Sequence, residues 1–279
     1  MKFAKYWSEA SVTADEKIFG TSTLSTWGAS NESQQQAGIN AMERAAKLQQ
    51  IVGRGFDALR EYEYWNGYIR EEVIDEIKSP DGRLLGVLTR NNYGAIVLNS
   101  ESVFFGDIDV AEETFFSKLL QLFGKPKKDK AYHIANIEQF QQKNTQYTIK
   151  VYETFAGLRV VIVNRIFEKD YTAVNSLFAS LGVDPLYVTL CKVQSCYRAR
   201  LTPKPWRIGV DRPLFRFPRH EQHELDGFAE WLTDYDLAAK SCRTVKVAAV
   251  FGGDSVHSDV ACVLEVHDQY ACAGGEALA

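Results

Sequence analysis

The sequence predicts an α+β protein in which helices flank an RRM-like mixed or antiparallel sheet, with a helical region before this core. Three observations favour this fold class. Apolar residues recur at helical spacing over 34–52, short β-branched runs occupy 84–110, and two further apolar runs meet at Phe155-Ala156-Gly157. With 279 residues, 46% of them hydrophobic, the chain can bury a sizeable core.

The N-terminal region is predicted to be mainly helical. Its first thirty residues show no clear period, and Asn31 with Gln34 is typical of a capping box that opens a helix. Four apolar residues of this helix fall near one face: Ile39, Met42, Ala46 and Val52. Gly53 suits the position just after the helix, and a second helix is predicted over Glu71–Lys78.

Strands and helices then alternate. Short apolar segments at 84–89, 95–99 and 103–110 predict strands, and the last two, which Ser100-Glu101-Ser102 separates, are expected to pair as a hairpin. The elements expected next are helices over 111–123 and 131–143, strands over 147–153 and 158–164, and a helix that Asp170 caps and that runs to about Ser180.

Five of the seven prolines fall between Pro185 and Pro218, and this density predicts an extended, irregular segment. A helix over 221–239, a strand over 245–251 and a helix over 260–270 are expected after it. We expect a helical region over 1–80 packed on an α/β core over 81–279, the two forming one compact unit. The basic, proline-rich segment at 185–219 belongs to this core.

Composition argues against several classes of protein. No run of about eighteen apolar residues occurs, and the N-terminal segment MKFAKYWSEA has no apolar leader core, so neither a membrane partner nor secretion is expected. The five cysteines are odd in number and form no C-x-x-C pair, so we expect reduced thiols and no structural zinc site. These features predict a cytoplasmic protein.

The strongest candidate for chemistry is an acidic pair in the segment FFGDIDV at 104–110. Asp107 and Asp109 stand at i and i+2 on a predicted strand, so their side chains point to the same face. Two such carboxylates can bind Mg²⁺ or Mn²⁺, which prefer oxygen ligands and often share a substrate phosphate. The alternative for Asp109 is structural, because it precedes Glu112 by three residues and suits the N-cap of the next helix. The alternative for Asp107 is an ion pair with a nearby arginine.

Arg159 follows the glycine of the second predicted hairpin by two residues. Gly157 allows close approach of the backbone, and an arginine can bind phosphate through two parallel hydrogen bonds. The pair therefore predicts a phosphate-binding turn. The alternative is a plain hairpin glycine beside a surface arginine.

The stretch from Lys192 to Arg219 is strongly basic. It has eight basic residues and one acid, Asp211, so its net charge is +7. Because the whole chain has a net charge of −4, the rest of the chain carries −11. Aromatic residues alternate with the arginines, as suits phosphate contact and base stacking. The basic residues expected to bind substrate are Arg198, Arg200, Lys204 and Arg207. The alternative is that these arginines pair with carboxylates of the chain itself.

The order of these features resembles the catalytic core of archaeo-eukaryotic-type primases and primase-polymerases over about residues 95–210. The resemblance implies that Asp107 and Asp109 bind a divalent metal and that Asp184 adds a third carboxylate, with Asp211 as its rival. In that family a histidine of the second motif contacts nucleotide phosphate, and here Arg159 stands at the matching position. The segment from Cys196 to Arg207 is also similar to a block found in bacterial proteins.

Taken together, these patterns predict a metal-dependent nucleotidyl- or phosphoryl-transfer enzyme that acts on nucleotides or nucleic acid, with Mg²⁺ or Mn²⁺ as cofactor. The predicted catalytic residues are Asp107, Asp109 and Asp184, and Gly157 and Arg159 join the basic residues in substrate binding. Two alternatives come from other classes. One is a non-catalytic module that binds nucleotide or nucleic acid, and the other is a structural or interaction protein whose acidic pair caps a helix.

Overall fold

The computed structural model describes residues 1–52, 68–110, 128–167 and 171–279. The chain divides into two compact units, Met1–Glu71 and Glu72–Ala279. The predicted fold class, α+β with antiparallel sheets and flanking helices, is confirmed. The expected helix over 111–123, the terminating Gly53 and the capping Asp170 lie outside the described residues. No helix within the described ranges has the length and apolar character needed to cross a bilayer.

The first unit is a two-stranded antiparallel sheet covered by a helix. Its elements are β1 (Tyr6–Thr13), α1 (Glu16–Phe19), β2 (Thr23–Ser30) and α2 (Gln34–Val52). The predicted helix over 34–52 is confirmed, but its cap is not Asn31. Ser33 accepts the hydrogen bond from the backbone N–H of Gln36, whereas Asn31 accepts one from Lys5.

The buried face of α2 also differs from the predicted one. Ile39 and Met42 are exposed, and the buried residues are small ones at four-residue spacing together with a leucine: Ala37, Ala41, Ala45 and Leu48. A Cβ at Gly28 of β2 would lie only 2.1 Å from the backbone nitrogen of Ala41. The helix therefore lies so close to the strand that only small side chains fit between them.

The second unit begins with four strands, β3 (Glu72–Lys78), β4 (Leu84–Arg90), β5 (Ile96–Ser100) and β6 (Phe105–Asp109). The elements that follow are α3 (Lys130–Lys143), β7 (Ile149–Thr154), β8 (Gly157–Ile162), α4 (Tyr171–Leu181), α5 (Pro185–Gln194), β9 (Tyr197–Arg200), a 3₁₀ turn (Pro205–Arg207), α6 (Gln222–Ala239), β10 (Cys242–Arg243), β11 (Val245–Phe251), α7 (Ser258–Ala271) and β12 (Ala277–Leu278).

Most of these strands form two antiparallel sheets of four strands each. The first sheet has the order β3-β4-β5-β9, and the second has the order β11-β7-β8-β6. The predicted hairpin of β7 and β8 is confirmed. The predicted pairing of β5 with β6 is wrong, because β5 pairs with β4 and β9 while β6 pairs with β8. The chain therefore passes from one sheet to the other between Ser100 and Phe105.

Two further predictions for this unit are wrong. The segment over 71–78 is the edge strand β3 and not a helix, because the turn at 79–82 folds it back onto β4. The proline-rich segment is not irregular throughout, since it contains α5 and β9. Pro185 opens α5 at its first turn, where a proline removes no helical hydrogen bond, and Asp184 caps it.

The core of the second unit is apolar and continuous. Helix α3 packs against β7 and β11, α5 packs against β6, and α7 packs against β3 and β4. The largest fully buried side chains of this unit include Phe104, Phe105, Phe178 and Tyr197, and one charged residue, Arg159. A charged group at such a depth requires hydrogen-bonding partners, and these partners define the candidate site.

Replacing Gly157 with alanine is expected to lower the free energy of unfolding by about 3 kcal/mol, because a Cβ there would lie 1.9 Å from the carbonyl oxygen of Ile108. Urea unfolding followed by circular dichroism measures this loss. Gly253→Ala is the matched control, since a Cβ at that position meets nothing within 4 Å. Equal stability of the two variants would contradict the close approach of β6 and β8.

Candidate active site

Three polar side chains lie in one row across the second sheet. Asp107 of β6 stands opposite Arg159 of β8, which stands opposite Tyr152 of β7. Directly opposed residues of antiparallel strands point to the same face of a sheet. His267 of α7 covers this row, with its ring centre 4.9 Å from that of Tyr152 and 5.5 Å from that of Phe105. The alternation of the strands therefore collects polar groups under one helix.

Arg159 lies at the centre of the row and is only 2% exposed. Its Nε donates to Asp107 Oδ1 over 2.9 Å, and its Nη2 donates to Oδ2 over 3.4 Å. Its Nη1 donates to the carbonyl of Arg200 over 2.9 Å and lies 3.2 Å from His267 Nε2. Burial alone would lower the pKa of Arg159, but the charge and hydrogen bond of Asp107 outweigh it and raise this pKa. The guanidinium therefore stays charged.

His267 connects Arg159 to a second carboxylate. Its Nδ1 lies 2.8 Å from Asp268 Oδ1, which also accepts from the hydroxyl of Tyr152, and Lys150 donates to Oδ2. A guanidinium has no acceptor, so His267 Nε2 must accept from Arg159 and Nδ1 must carry the proton. Burial lowers the pKa of His267 to about 4. The imidazole is therefore neutral at physiological pH, and we call Asp107, Arg159, His267 and Asp268 the buried polar network.

Two more aspartates extend the acidic end of this network. Asp109 follows Asp107 on the same face of β6 and is exposed, whereas the side chain of Asp107 is 34% exposed. The backbone N–H of Asp184 donates to the carbonyl of Asp107 over 2.9 Å, which holds the start of α5 beside β6. Partial burial and the negative charges of Asp184 and Asp107 raise the pKa of Asp109. These three residues are the carboxylate cluster.

The chemistry of the carboxylate cluster suits a divalent cation. Its negative charges repel one another, and a bound cation would relieve this repulsion. Each oxygen of Asp107 keeps a lone pair beyond its bond to Arg159. Asp184 directs both oxygens to backbone N–H groups of α5, as a helix cap. In the described ranges, no three His, Cys, Asp or Glu side chains form a complete metal-binding group. Binding of Mg²⁺ or Mn²⁺ by Asp107 and Asp109 therefore stays a prediction.

Three basic side chains lie within electrostatic reach of these carboxylates, and we call them the basic cluster: Arg200, Lys204 and Arg207. Burial lowers the pKa of Arg200 to about 10, and the charge of Arg207 acts in the same direction. Burial and the charges of Arg207 and Arg200 lower the pKa of Lys204, and the negative charge of Asp109 only partly opposes them. Because the three cations crowd one another, an anion bound among them would be stabilised.

Two exposed aromatic rings border the basic cluster. Trp206 is 45% exposed and Phe155 is 50% exposed. The guanidinium carbon of Arg207 lies 4.1 Å from the ring centre of Phe155, and that of Arg212 lies 4.5 Å from the ring centre of Trp206. Pro205 opens the 3₁₀ turn that carries Trp206 and Arg207, and its fixed φ restrains this backbone. Carboxylates, cations and partly exposed aromatic rings therefore occur in one region.

The glycine hairpin lies at this site, although its arginine is not on the surface. Gly157 stands opposite Asp109, and Arg159 stands opposite Asp107. The alternative of a surface arginine is wrong, because Arg159 is buried. Its donors point at protein groups, so Arg159 can position Asp107 but presents no open face to a ligand.

The remaining residues singled out in the sequence divide between the site and its surroundings. Arg198 donates from Nη1 to the side chain of Gln194 over 2.8 Å. Asp211, the rival third carboxylate, is exposed, and its backbone carbonyl accepts from Trp231. Of Asp184 and Asp211, the two candidates for the third carboxylate, it is Asp184 whose charge raises the pKa of Asp109. At the end of the basic segment, Arg219 pairs with Glu72, as the alternative of internal pairing predicts.

The sequence analysis missed His267 and Asp268, which complete the buried polar network. One signal was present in α7, whose buried face is an apolar stripe interrupted by the histidine: Val260, Val263, Leu264, His267 and Ala271. A histidine inside such a stripe must find a buried partner. The partner itself, Arg159, is more than a hundred residues away in the sequence, so spacing alone does not identify it.

No protein-family model matches the chain, and comparisons with curated proteins and with solved structures find no similar one. The resemblance to primases therefore stays a prediction.

Asp107→Asn is expected to destabilise the protein by about 3 kcal/mol, because it leaves the buried charge of Arg159 without a counter-charge. Combining it with Arg159→Met is expected to cost less than the sum of the two single changes. Urea unfolding of the four proteins gives the coupling energy. Asp109→Asn, at an exposed carboxylate, serves as the control and should change stability by less than about 0.5 kcal/mol. Additive effects would contradict the ion pair.

The neutral state of His267 makes stability depend on pH. The pKa of His267 falls from 6.5 in the unfolded chain to about 4 in the folded protein. The stability that the neutral imidazole contributes is therefore fully present above pH 6.5 and is lost as the pH falls toward 4. We expect the wild type to lose about 2 kcal/mol more than His267→Gln when the pH is lowered from about 7.5 to about 5. Urea unfolding at both pH values measures this difference, and identical losses would contradict a neutral His267.

Proposed function

We propose that this protein is a divalent-metal-dependent enzyme that transfers a nucleotidyl or phosphoryl group and acts on nucleotides or nucleic acid. One observation carries the proposal. Arg159 donates both to Asp107 and to the carbonyl of Arg200, each over 2.9 Å, so the carboxylate cluster lies next to the basic cluster. The negative charge of Asp109 also opposes the lowering of the pKa of Lys204. Such a pair of clusters suits a metal cation and a phosphate that bind side by side and neutralise each other.

The proposal gives the residues of the site distinct roles. Asp107 and Asp109 hold Mg²⁺ or Mn²⁺, and Lys204 and Arg207 bind the substrate phosphates. Arg159 acts through Asp107, since its two hydrogen bonds fix the orientation of that carboxylate. When bound, the metal supplies stabilisation of the negative charge that develops on the transferred group. The protein contributes positioning and fixed charge, which are the main requirements of phosphoryl transfer.

A second candidate is a non-catalytic module that binds nucleotide or nucleic acid. The ion pair of Arg159 with Asp107 favours this candidate, because it already neutralises one of the three carboxylates. In that case the basic cluster would bind phosphate and the carboxylates would have a structural role. The two candidates differ in whether binding of a nucleotide requires a metal.

The enzyme proposal predicts that Mn²⁺ and a nucleoside triphosphate together raise the melting temperature by more than the sum of their separate effects, because each neutralises charge that opposes the other. Thermal unfolding with each ligand alone and with both measures this. Asp109→Asn is expected to abolish the joint effect without loss of basal stability. Asp109 is a better residue to replace than Asp107, because removal of the Asp107 carboxylate would also leave the buried charge of Arg159 without its counter-charge.

Two control variants make this test specific. Asp254→Asn removes an exposed carboxylate just after β11 and should keep the joint effect. The last residue of β11 pairs with Ile149, at the end of the sheet away from Asp109. Lys204→Gln should weaken binding of the triphosphate, whereas Lys143→Gln, at the exposed end of α3, should not. A joint effect that survives in Asp109→Asn, or that never occurs, would sink the enzyme proposal. Metal-independent binding that requires Lys204 would support the second candidate.

A further inference from the structure

We propose that Trp206 and Phe155 form a stacking platform for an unpaired nucleobase, whose attached phosphate lies on Arg207 and Lys204. The inference rests on the proposed function, because it names the class of substrate that the same site would take. It adds Trp206 and Phe155 to the residues predicted to bind substrate. The aromatic rings, and not only the charged groups, would then recognise the nucleotide.

The exposure of the two rings is the first support. Large aromatic side chains are usually mostly buried in stable folds, since each ring has much apolar surface to remove from water. Trp206 and Phe155 nevertheless keep 45% and 50% of their surface open. They come from different parts of the unit, Trp206 from the 3₁₀ turn and Phe155 from the turn between β7 and β8.

The cations around the rings are the second support. Arg207 joins the two rings, because it neighbours Trp206 in the chain and its guanidinium lies 4.1 Å from the centre of Phe155. Lys204 Nζ lies 5.6 Å from the centre of Trp206, and the edge of Tyr93 supports the same ring, with centres 5.3 Å apart. A surface of aromatic faces interleaved with cations is the combination that binds a flat base together with its phosphate.

The two aromatic rings narrow the class of ligand. The carboxylates of an acidic peptide would also bind the cations, but they have no flat ring that could stack on Trp206. A base in a duplex is also a poor fit, because its faces are covered by neighbouring base pairs. An unpaired base with its phosphate satisfies all three parts of the region, and it can come from a free nucleotide or from a single strand.

The test uses the full chain without metal, in the presence of EDTA, so that it does not depend on catalysis. Fluorescence anisotropy of a labelled oligo-dT strand and of a duplex of the same length measures direct binding, and displacement by thymidine triphosphate or by inorganic triphosphate compares the sources. We expect the single strand to bind more tightly than the duplex, and thymidine triphosphate to displace it better than inorganic triphosphate does. Trp206→Ala is expected to weaken binding of the single strand about tenfold.

Four further variants separate stacking from charge and from folding. Trp206→Phe should keep most of the affinity, and Leu214→Ala, at an 83% exposed apolar residue of the same segment, should keep all of it. Arg207→Gln should weaken binding and reduce the slope of affinity against salt by about one unit. Phe155→Ala should act like Trp206→Ala, which gives a second test at a ring on a different turn.

The outcomes separate this inference from the proposed function. Equal affinity for single strand and duplex, or an unchanged affinity in both Trp206→Ala and Phe155→Ala, would overturn the platform even where Mn²⁺ and a nucleotide stabilise the protein jointly. Loss of affinity in both variants would establish the platform even where no joint effect with metal occurs. A preference for thymidine triphosphate over inorganic triphosphate would show that the bound base can come from a free nucleotide. A much higher affinity for the single strand than for thymidine triphosphate would show that it comes from a polynucleotide.

Discussion

The buried guanidinium of Arg159 is the interaction on which the second unit depends. Removing a positive charge from water is costly, and this cost is offset only if every donor has a well-placed partner. Asp107, the carbonyl of Arg200 and His267 supply those partners from β6, β9 and α7. The need to satisfy one arginine therefore ties an edge strand, a strand of the other sheet and a helix to β8.

This constraint also shapes the surface above it. Because Arg159 holds Asp107, the alternation of β6 places Asp109 on the same face and nearer to solvent. The capping of α5 by Asp184 brings a third carboxylate to the same strand through its backbone bond to Asp107. Structural requirements thus assemble negative charges at one edge of the sheet. Under the proposed function, Asp107 and Asp109 would bind the metal as well as serve these structural roles.

The basic cluster has a different origin. Arg200 is the last residue of β9, and Lys204 and Arg207 lie on the segment after it, where prolines restrain the backbone. Crowded cations and crowded carboxylates each raise the free energy of the fold, and their proximity offsets only part of this. Sites that keep such unfavourable charge are typical of functional surfaces, where a ligand supplies the compensation.

The sequence by itself determined the α+β class, the helices predicted over 34–52 and 131–143, and the β7–β8 hairpin, because periodicity and turn residues act locally. It also singled out Asp107, Asp109 and Arg159. Only the tertiary structure decided that β5 and β6 part into different sheets, that residues 72–78 form a strand, and that Arg159 is buried on His267. These outcomes depend on contacts between segments far apart in the chain, and the spacing of residues along a sequence carries no record of such contacts.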